Sequence, residues 1–440
     1  MRKLHGIAGL ALCMCLASAG PAGADPVVDW DAIASQIIAG GGRPGPSGVL
    51  DFAVVHLAIH DAVQAIEHRF EPYHVHIPGA SGSTTAAVAR AASLVLKTRF
   101  PAQADAIETM FANYLSSTGL MGTDPGVAVG QQAALGIIAL RANDGSFPVG
   151  FPPFNGGTGA GEWRPTPNFQ PPVLASSGPM AAPWLGAVQP FTLKFNEQFS
   201  AEPPPRLTSQ EYARVYNEVK ALGARFNSSR TEAQTQLGYF YGDNLLLLWF
   251  RTLRGIATAR GLSVGDSARL FALASIASAD AIMTAWFDKR SFNFWRPLTA
   301  IREGNNDGNP LTVGDPAWEP LINTPPYPDH TSGANNLAAA MTRILKRFFG
   351  TDKMTFVITS TFNPQLLNSN TRTYTRFSAV ADDMVEVRIY EGIHFRTADV
   401  AARKQGTHVA NQAFRKFLRP LHGHDDDADD NDEDSGRDRD

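Results

Sequence analysis

The sequence predicts a mainly α-helical protein in two subdomains, broken by one long irregular excursion. Three observations carry this. Apolar residues recur at helical spacing along most of the chain, while β-branched alternation is scarce. The stretch from Gly150 to Pro205 is instead rich in Pro, Gly and Trp and has no helical period. Finally, the body from 25 to 421 is too long for one comfortable hydrophobic core.

Residues 1–24, MRKLHGIAGLALCMCLASAGPAGA, combine a basic start (Arg2, Lys3), a short apolar run and a small-residue end, the pattern of a cleavable secretory leader. A periplasmic or secreted protein is expected. The apolar run is too short for a membrane span, and none is expected later. Both cysteines, Cys13 and Cys15, fall inside the leader, so the mature chain is expected to have no disulfide and no thiolate metal site. The formal charge is −4; without Arg2 and Lys3 it is −6. The tail 422–440 accounts for −8 of that, leaving the body at +2. The acidity is a property of a tail that reads as disordered, and the near-neutral body gives no case for nucleic acid.

Within the body, Val54, Leu57, Ile59, Val63 and Ile66 lie at mostly helical spacing, predicting a buried helix within 30–69. His56 and His60, one turn apart on it, lack an obvious third ligand and read as core histidines. Helical patterns follow at 84–99, 102–116 and 124–143. The excursion at 150–205 holds many aromatics, which suits a packed functional segment better than a linker. Helices resume near Thr208 and run with interruptions to Leu418, giving an N-terminal subdomain at 25–205 and a C-terminal one at 206–421.

Four clusters in the second subdomain carry chemistry. In TAWFDKRSFNFWRPL (284–298), Trp286, Lys289, Asn293 and Arg296 are spaced to share one helix face, with Pro297 as the stop. Phe292, Phe294 and Trp295 make that region too apolar for full exposure, so the cations are expected buried and paired. In YPDHTSGANN (327–336), Ser332 and Gly333 precede a helix from Ala334 to Phe348, where free backbone N–H groups can hold an anion. In FSAVADDMVEVRIYEGIHFRTADVAARKQG (377–406), a helix starting at Ser378 carries Arg388; Gly392 ends it, so that His394 turns back toward Arg388. Asp399 is positioned to orient the imidazole. Two arginines, a lysine, a Ser-Gly helix start and one histidine make a cage for a tetrahedral oxyanion with a single nucleophile. Phosphate or vanadate suits it, whereas its cations repel Mg²⁺, Ca²⁺ and Zn²⁺.

Lys289-x6-Arg296-Pro297, the approach to Ser332-Gly333, and Arg388-x5-His394 together resemble the signature of the vanadium-dependent haloperoxidases and the related acid phosphatases of the phosphatidic acid phosphatase superfamily. Trp286-x-x-Lys289 resembles the haloperoxidase version, and longer stretches between about 30 and 420 are similar to bacterial secreted haloperoxidase-like proteins. The resemblance implies an all-α pair of four-helix bundles with the pocket in the second. It implies vanadate as cofactor, with phosphate an alternative occupant of the same site, its vanadium bonded to His394 and its oxygens held by Lys289, Arg296, Ser332, Gly333 and Arg388. The implied substrates are hydrogen peroxide, polarised by Lys289, and a halide that leaves as hypohalous acid, with Tyr327 facing the halide or substrate. In the phosphatase branch His394 would attack a phosphoester instead.

Two departures from the family pattern stand out. Ala334 replaces the histidine of Ser-Gly-His and supplies no acid or base, which also admits an oxyanion-binding protein with weakened catalysis. Asp399 stands one residue further from His394 than the family's His-x3-Asp. His330, four residues before Ala334, reads first as an exposed or capping loop histidine, the alternative being that it swings into the pocket in place of the missing one.

Overall fold

The computed structural model describes residues 25–169 and 178–421; the leader, residues 170–177 of the excursion and the acidic tail lie outside the described residues. The first half is built from α1 (Pro26–Gly40), α2 (Gly48–Glu67), α3 (Thr84–Arg99), α4 (Ala104–Ser117) and α5 (Pro125–Leu140). Short polar side chains start them. Asp25, Ser83 and Asp124 accept hydrogen bonds from first-turn N–H groups of α1, α3 and α5. The second half comprises α6 (Gln210–Leu222), α7 (Glu232–Tyr241), α8 (Leu245–Arg260), α9 (Val264–Phe292), α10 (Pro297–Arg302), α11 (Gly333–Phe349), α12 (Phe377–Tyr390) and α13 (Arg396–Lys416).

The 29-residue α9 is the axis of the molecule. It is buried along most of its length and packs against α2 on the N-terminal side and against α11 and α13 on the C-terminal side. By length and composition α2 and α9 could each cross a membrane, but 94% of each apolar window is buried by the protein's own helices, as in core helices. His56 and His60 are also core groups: His56 Nε2 lies 2.8 Å from Asp31, and His60 Nε2 lies 3.0 Å from the Glu71 carbonyl. Burial pushes His60 down to about 4, so it stays neutral.

The long excursion lies along its own chain's α9. Asp280 accepts from the backbone N–H of Phe191 and Thr192 (2.7 Å each) and from the Thr192 hydroxyl. Two turns further on, Asp288 accepts from the Ser200 hydroxyl, Ala201 N–H and the Gln405 amide of α13. A segment without its own backbone ladder is thus satisfied by carboxylates projecting from a helix.

One element departs from the helical reading of 208–418. Strands β1 (Lys353–Thr359) and β2 (Thr371–Arg376) form an antiparallel hairpin, with Phe356 opposite Tyr374. Met354, Phe356 and Ile358 face inward at period two, but Val357 between them is outward and half exposed, which blurs the alternation in the sequence.

The larger apolar core runs from Val27 of α1 to Leu418 and includes residues on both sides of the excursion. A smaller cluster gathers Tyr212, Tyr216, Trp295, Leu298, Trp318 and Phe395 between α6 and α10. It sets the site, because Trp295 and Phe395 are the chain neighbours of Arg296 and His394.

Candidate oxyanion site

Lys289 belongs to the last turn of α9, which ends at Phe292. Asn293 then adopts a left-handed conformation (φ 49°), its N–H donating to the Lys289 carbonyl. The chain leaves in extended form, and Arg296 is the residue preceding α10. The expected single face is therefore corrected: Arg296 reaches the site from a loop, and Pro297 opens a helix instead of closing one, its fixed φ and missing N–H suiting the first helical position. Phe294 and Trp295 serve the smaller core cluster and not a continuation of α9.

Arg388 lies near the end of α12. Gly392 (φ 78°) reverses the chain; a Cβ there would lie 2.5 Å from the Gly223 carbonyl, so only glycine fits. The reversal brings His394 back, with its N–H toward the Arg388 carbonyl at 3.4 Å.

These residues converge in a buried space. Lys289, Arg296 and Ser332 are fully buried, and His394 and Arg388 nearly so. Lys289 Nζ donates to the carbonyls of Pro328 (2.6 Å) and Asp329 (2.9 Å). Arg296 donates through Nε to the Tyr327 carbonyl (2.7 Å) and through Nη1 to the Ile393 carbonyl (2.6 Å). Both cations thus grip the loop leading into Ser332. The Tyr327 ring stacks near both, 5.1 Å from Lys289 Nζ and 4.9 Å from the Arg296 guanidinium, and packs on Trp286. Gly333 lies against Trp286 so closely that a Cβ would meet the indole at 3.0 Å.

His394 Nδ1 lies 2.8 Å from Asp329 Oδ1, and Arg296 Nη1 approaches the ring at 3.0 Å from Nε2 and 3.3 Å from Nδ1. Arg388 pairs with Glu391 at 2.7 Å. Asp399 does not reach His394: it accepts from Asn335 Nδ2 (2.9 Å), which also touches the Ser332 hydroxyl. The expected orienting role of Asp399 is corrected accordingly, the extra residue in the His-x4-Asp spacing carrying it to α11 instead. His330 is also corrected. It is buried, with Nε2 2.9 Å from the Glu202 carbonyl of the excursion and its ring edge-on to Phe292. Ala334 is half-buried and packs on the larger core.

The electrostatics favour a bound anion. Burial, reinforced by Arg296, Lys289 and Arg388, holds His394 well below the ordinary imidazole range, so it is neutral with a lone pair available. Burial pushes Asp329 and Glu391 up to about 7 and Asp399 well above the carboxylate range, although neighbouring cations oppose this at each. Burial and the adjacent Arg296 pull Lys289 well below the usual amine range, which an incoming anion would reverse. Arg296 Nη2 and Arg388 Nε have no hydrogen-bond partner, and the Ser332 side chain does not cap α11. Spare cationic donors beside an uncapped helix start fit a tetrahedral oxyanion such as vanadate or phosphate. Among the described residues no group of three or more His, Cys, Asp or Glu could hold a divalent metal.

Sequence reasoning therefore assembled Lys289, Arg296, Ser332, Gly333, Arg388 and His394, and the structure brings these elements together. It missed Asp329, Glu391 and Asn335, the groups that contact them. Asp329 stands inside YPDHTSGANN, but its composition reads only as a turn.

Comparison with known proteins bears on the fold that carries this site. Residues 269–423 match the family described as the VCPO second helical-bundle domain. The vanadium chloroperoxidase of Curvularia inaequalis is 30% identical over 201 residues, covering 38% of this chain and 32% of that protein, so the chain matches about a third of that relative's length. Among solved structures, a bacterial vanadium-dependent iodoperoxidase superposes with a TM-score of 0.76 at 21% identity, covering 91% of this chain and 97% of that one. The holo form of a bacterial vanadium-dependent chloroperoxidase gives 0.69 at 17% identity over 88% and 92% of the two chains. The long-range architecture is thus the haloperoxidase fold, and the site-bearing bundle carries the sequence match. On these grounds the fold is that of the vanadium haloperoxidases, and residues 269–423 are similar in sequence to their second helical bundle.

Proposed function

We propose that this protein is a vanadate-dependent peroxidase of the haloperoxidase type, turning hydrogen peroxide and a halide into hypohalous acid. The observation that carries the reading is the buried meeting of Lys289, Arg296 and Arg388, with N–H groups unspent on two of them, around a neutral His394. When bound, vanadate supplies the Lewis-acidic centre at which peroxide is activated. His394 would hold the vanadium. Arg296 Nη2, Arg388 Nε, the Ser332 hydroxyl and the Gly333 N–H would hold its oxygens, and this cationic shell stabilises negative charge that builds up there. Lys289, whose amine burial and Arg296 pull below its ordinary range, would polarise peroxide held at that centre. Tyr327, half-buried, and the buried Trp286 form an aromatic wall beside the two cations.

A phosphatase reading is less well supported. His394 could attack a phosphoester, but the departing alkoxide needs a proton; Ala334 has none to give, and His330 Nε2 is turned to the Glu202 carbonyl. Purified protein incubated with orthovanadate, then assayed for peroxide-dependent bromide and iodide oxidation beside a vanadate-free phosphomonoester assay, separates the readings. Halide oxidation that needs vanadate supports the proposal. Phosphate release without halide oxidation would overturn it, and neither activity would leave an oxyanion-binding protein. We also propose export, supported by the leader at 1–24; recovery of full-length uncleaved protein in the cytoplasm of the native cell would contradict that.

A further inference from the structure

We infer that Asp329, in the loop between α10 and α11, is the positioning residue of His394, holding the imidazole as the Nδ1–H tautomer with Nε2 aimed at the arginine side of the cage. The inference rests on reading that cage as an oxyanion site. Its first support is a donor count. A guanidinium has donors only, so the 3.0 Å contact from Arg296 Nη1 requires Nε2 to accept, which leaves the single ring proton on Nδ1. The shorter contact at Nδ1, 2.8 Å, is to a carboxylate oxygen that accepts it. The longer 3.3 Å approach of Arg296 Nη1 to Nδ1 then competes poorly.

Rigidity is the second support. Asp329 is pinned through its own backbone, its N–H donating to the Phe294 carbonyl (2.9 Å) and its carbonyl accepting from Lys289 Nζ (2.9 Å). Both side chains are buried, at 1% and 2% exposure, so no water competes for the bond. The second oxygen, Oδ2, has no hydrogen-bond partner, and the nearest cation on Oδ1, Arg296 Nη1, stands off at 3.9 Å, so the imidazole is the closest side-chain contact of the carboxylate. A carboxylate bonded to the far nitrogen of a liganding histidine fixes its tautomer and raises the basicity of the near one. Asp399, with its bond to Asn335, is not placed to do this.

The test uses the full mature chain labelled with ¹⁵N-histidine, without added vanadate, so it does not depend on any catalytic reading. Long-range proton–nitrogen spectra assign the His394 tautomer, with H394Q identifying the signal. The expected result is Nδ1–H in the native protein, a shift toward Nε2–H in D329A, and partial return in D329N, whose amide oxygen can still accept. Orthovanadate and inorganic phosphate, titrated calorimetrically, should bind D329A roughly 10- to 100-fold more weakly. Nε2–H in the native protein overturns the inference, even if no variant folds. So does D329A with unchanged tautomer and affinity. If the native tautomer is Nδ1–H and depends on Asp329, yet neither anion binds the native protein, the positioning role stands and the oxyanion reading falls.

Discussion

Arg388→Ala would separate the charge of the cage from the packing of its walls. The guanidinium sets Nη1 2.7 Å from Glu391 as an ion pair, without hydrogen-bond geometry, and leaves Nε without a partner as well. If Nε is reserved for the oxyanion, the variant loses one hydrogen bond between charged groups, about 1.5–3 kcal/mol, or roughly 10- to 150-fold in Kd. The same change strips the buried Glu391 of its cation. An unpaired buried charge costs about 3–5 kcal/mol, but Glu391 can escape most of that by taking up a proton. Burial already holds it at about 7, above its unfolded value, against the pull of Arg388; without Arg388 it rises further. A raised carboxyl pKa means the folded state keeps a proton that the unfolded state has released. Its stability contribution is therefore complete at low pH and lost as pH rises through the folded pKa. Arg388→Ala should thus melt close to wild type at pH 5 and progressively below it toward pH 8, and adding Glu391→Gln should remove that slope without restoring affinity. Calorimetric titration with orthovanadate and phosphate, together with melts across that pH range, measures both. Unchanged affinity in Arg388→Ala, or affinity restored by Glu391→Gln, would refute the reasoning and leave Arg388 a partner of Glu391 alone.

Ala334→His should raise turnover in whichever assay the native protein answers, toward the roughly 10²- to 10⁴-fold that a positioned acid–base group contributes; an unchanged kcat with intact anion binding would show that position 334 does not face the reacting atoms. Asp280→Ala would strand the Phe191 and Thr192 N–H groups and the Thr192 hydroxyl in the interior, at a cost of about 3–5 kcal/mol, and should open residues 178–205 to limited proteolysis. Burial pushes Asp280 up to about 6, so its contribution is complete below the unfolded carboxylate range and lost as pH rises through 6; Asp280→Asn should flatten that part of the stability profile measured by urea unfolding.

What was legible in the sequence is what short-range chemistry writes there. The helical period at 84–99 located α3, and the Arg-x5-His spacing across Gly392 placed His394 near Arg388 because a left-handed glycine there reverses the chain. The Ser-Gly junction was visible for the same reason: a helix start has a local signature. Periodicity misled where it ran past a real stop. Asn293 tolerates the left-handed conformation, so α9 ended there without a glycine, and the helical spacing of Arg296 was coincidental. The hairpin was hidden because each strand buries few residues and Val357 faces solvent. Asp329 was illegible for a different reason. Its partner lies 65 residues away, and nothing in a turn sequence says which distant imidazole its carboxylate will meet.

The central claim is that Lys289, Arg296, Ser332, Gly333, Arg388 and His394 form one oxyanion cage with His394 as the covalent ligand. The most direct measurement is vanadium bound per chain after equilibrium dialysis against orthovanadate, comparing the native protein with His394→Ala. One vanadium per native chain, displaced by phosphate and lost in the variant, is the result expected. No stoichiometric vanadium in the native protein, or equal binding by His394→Ala, would contradict it.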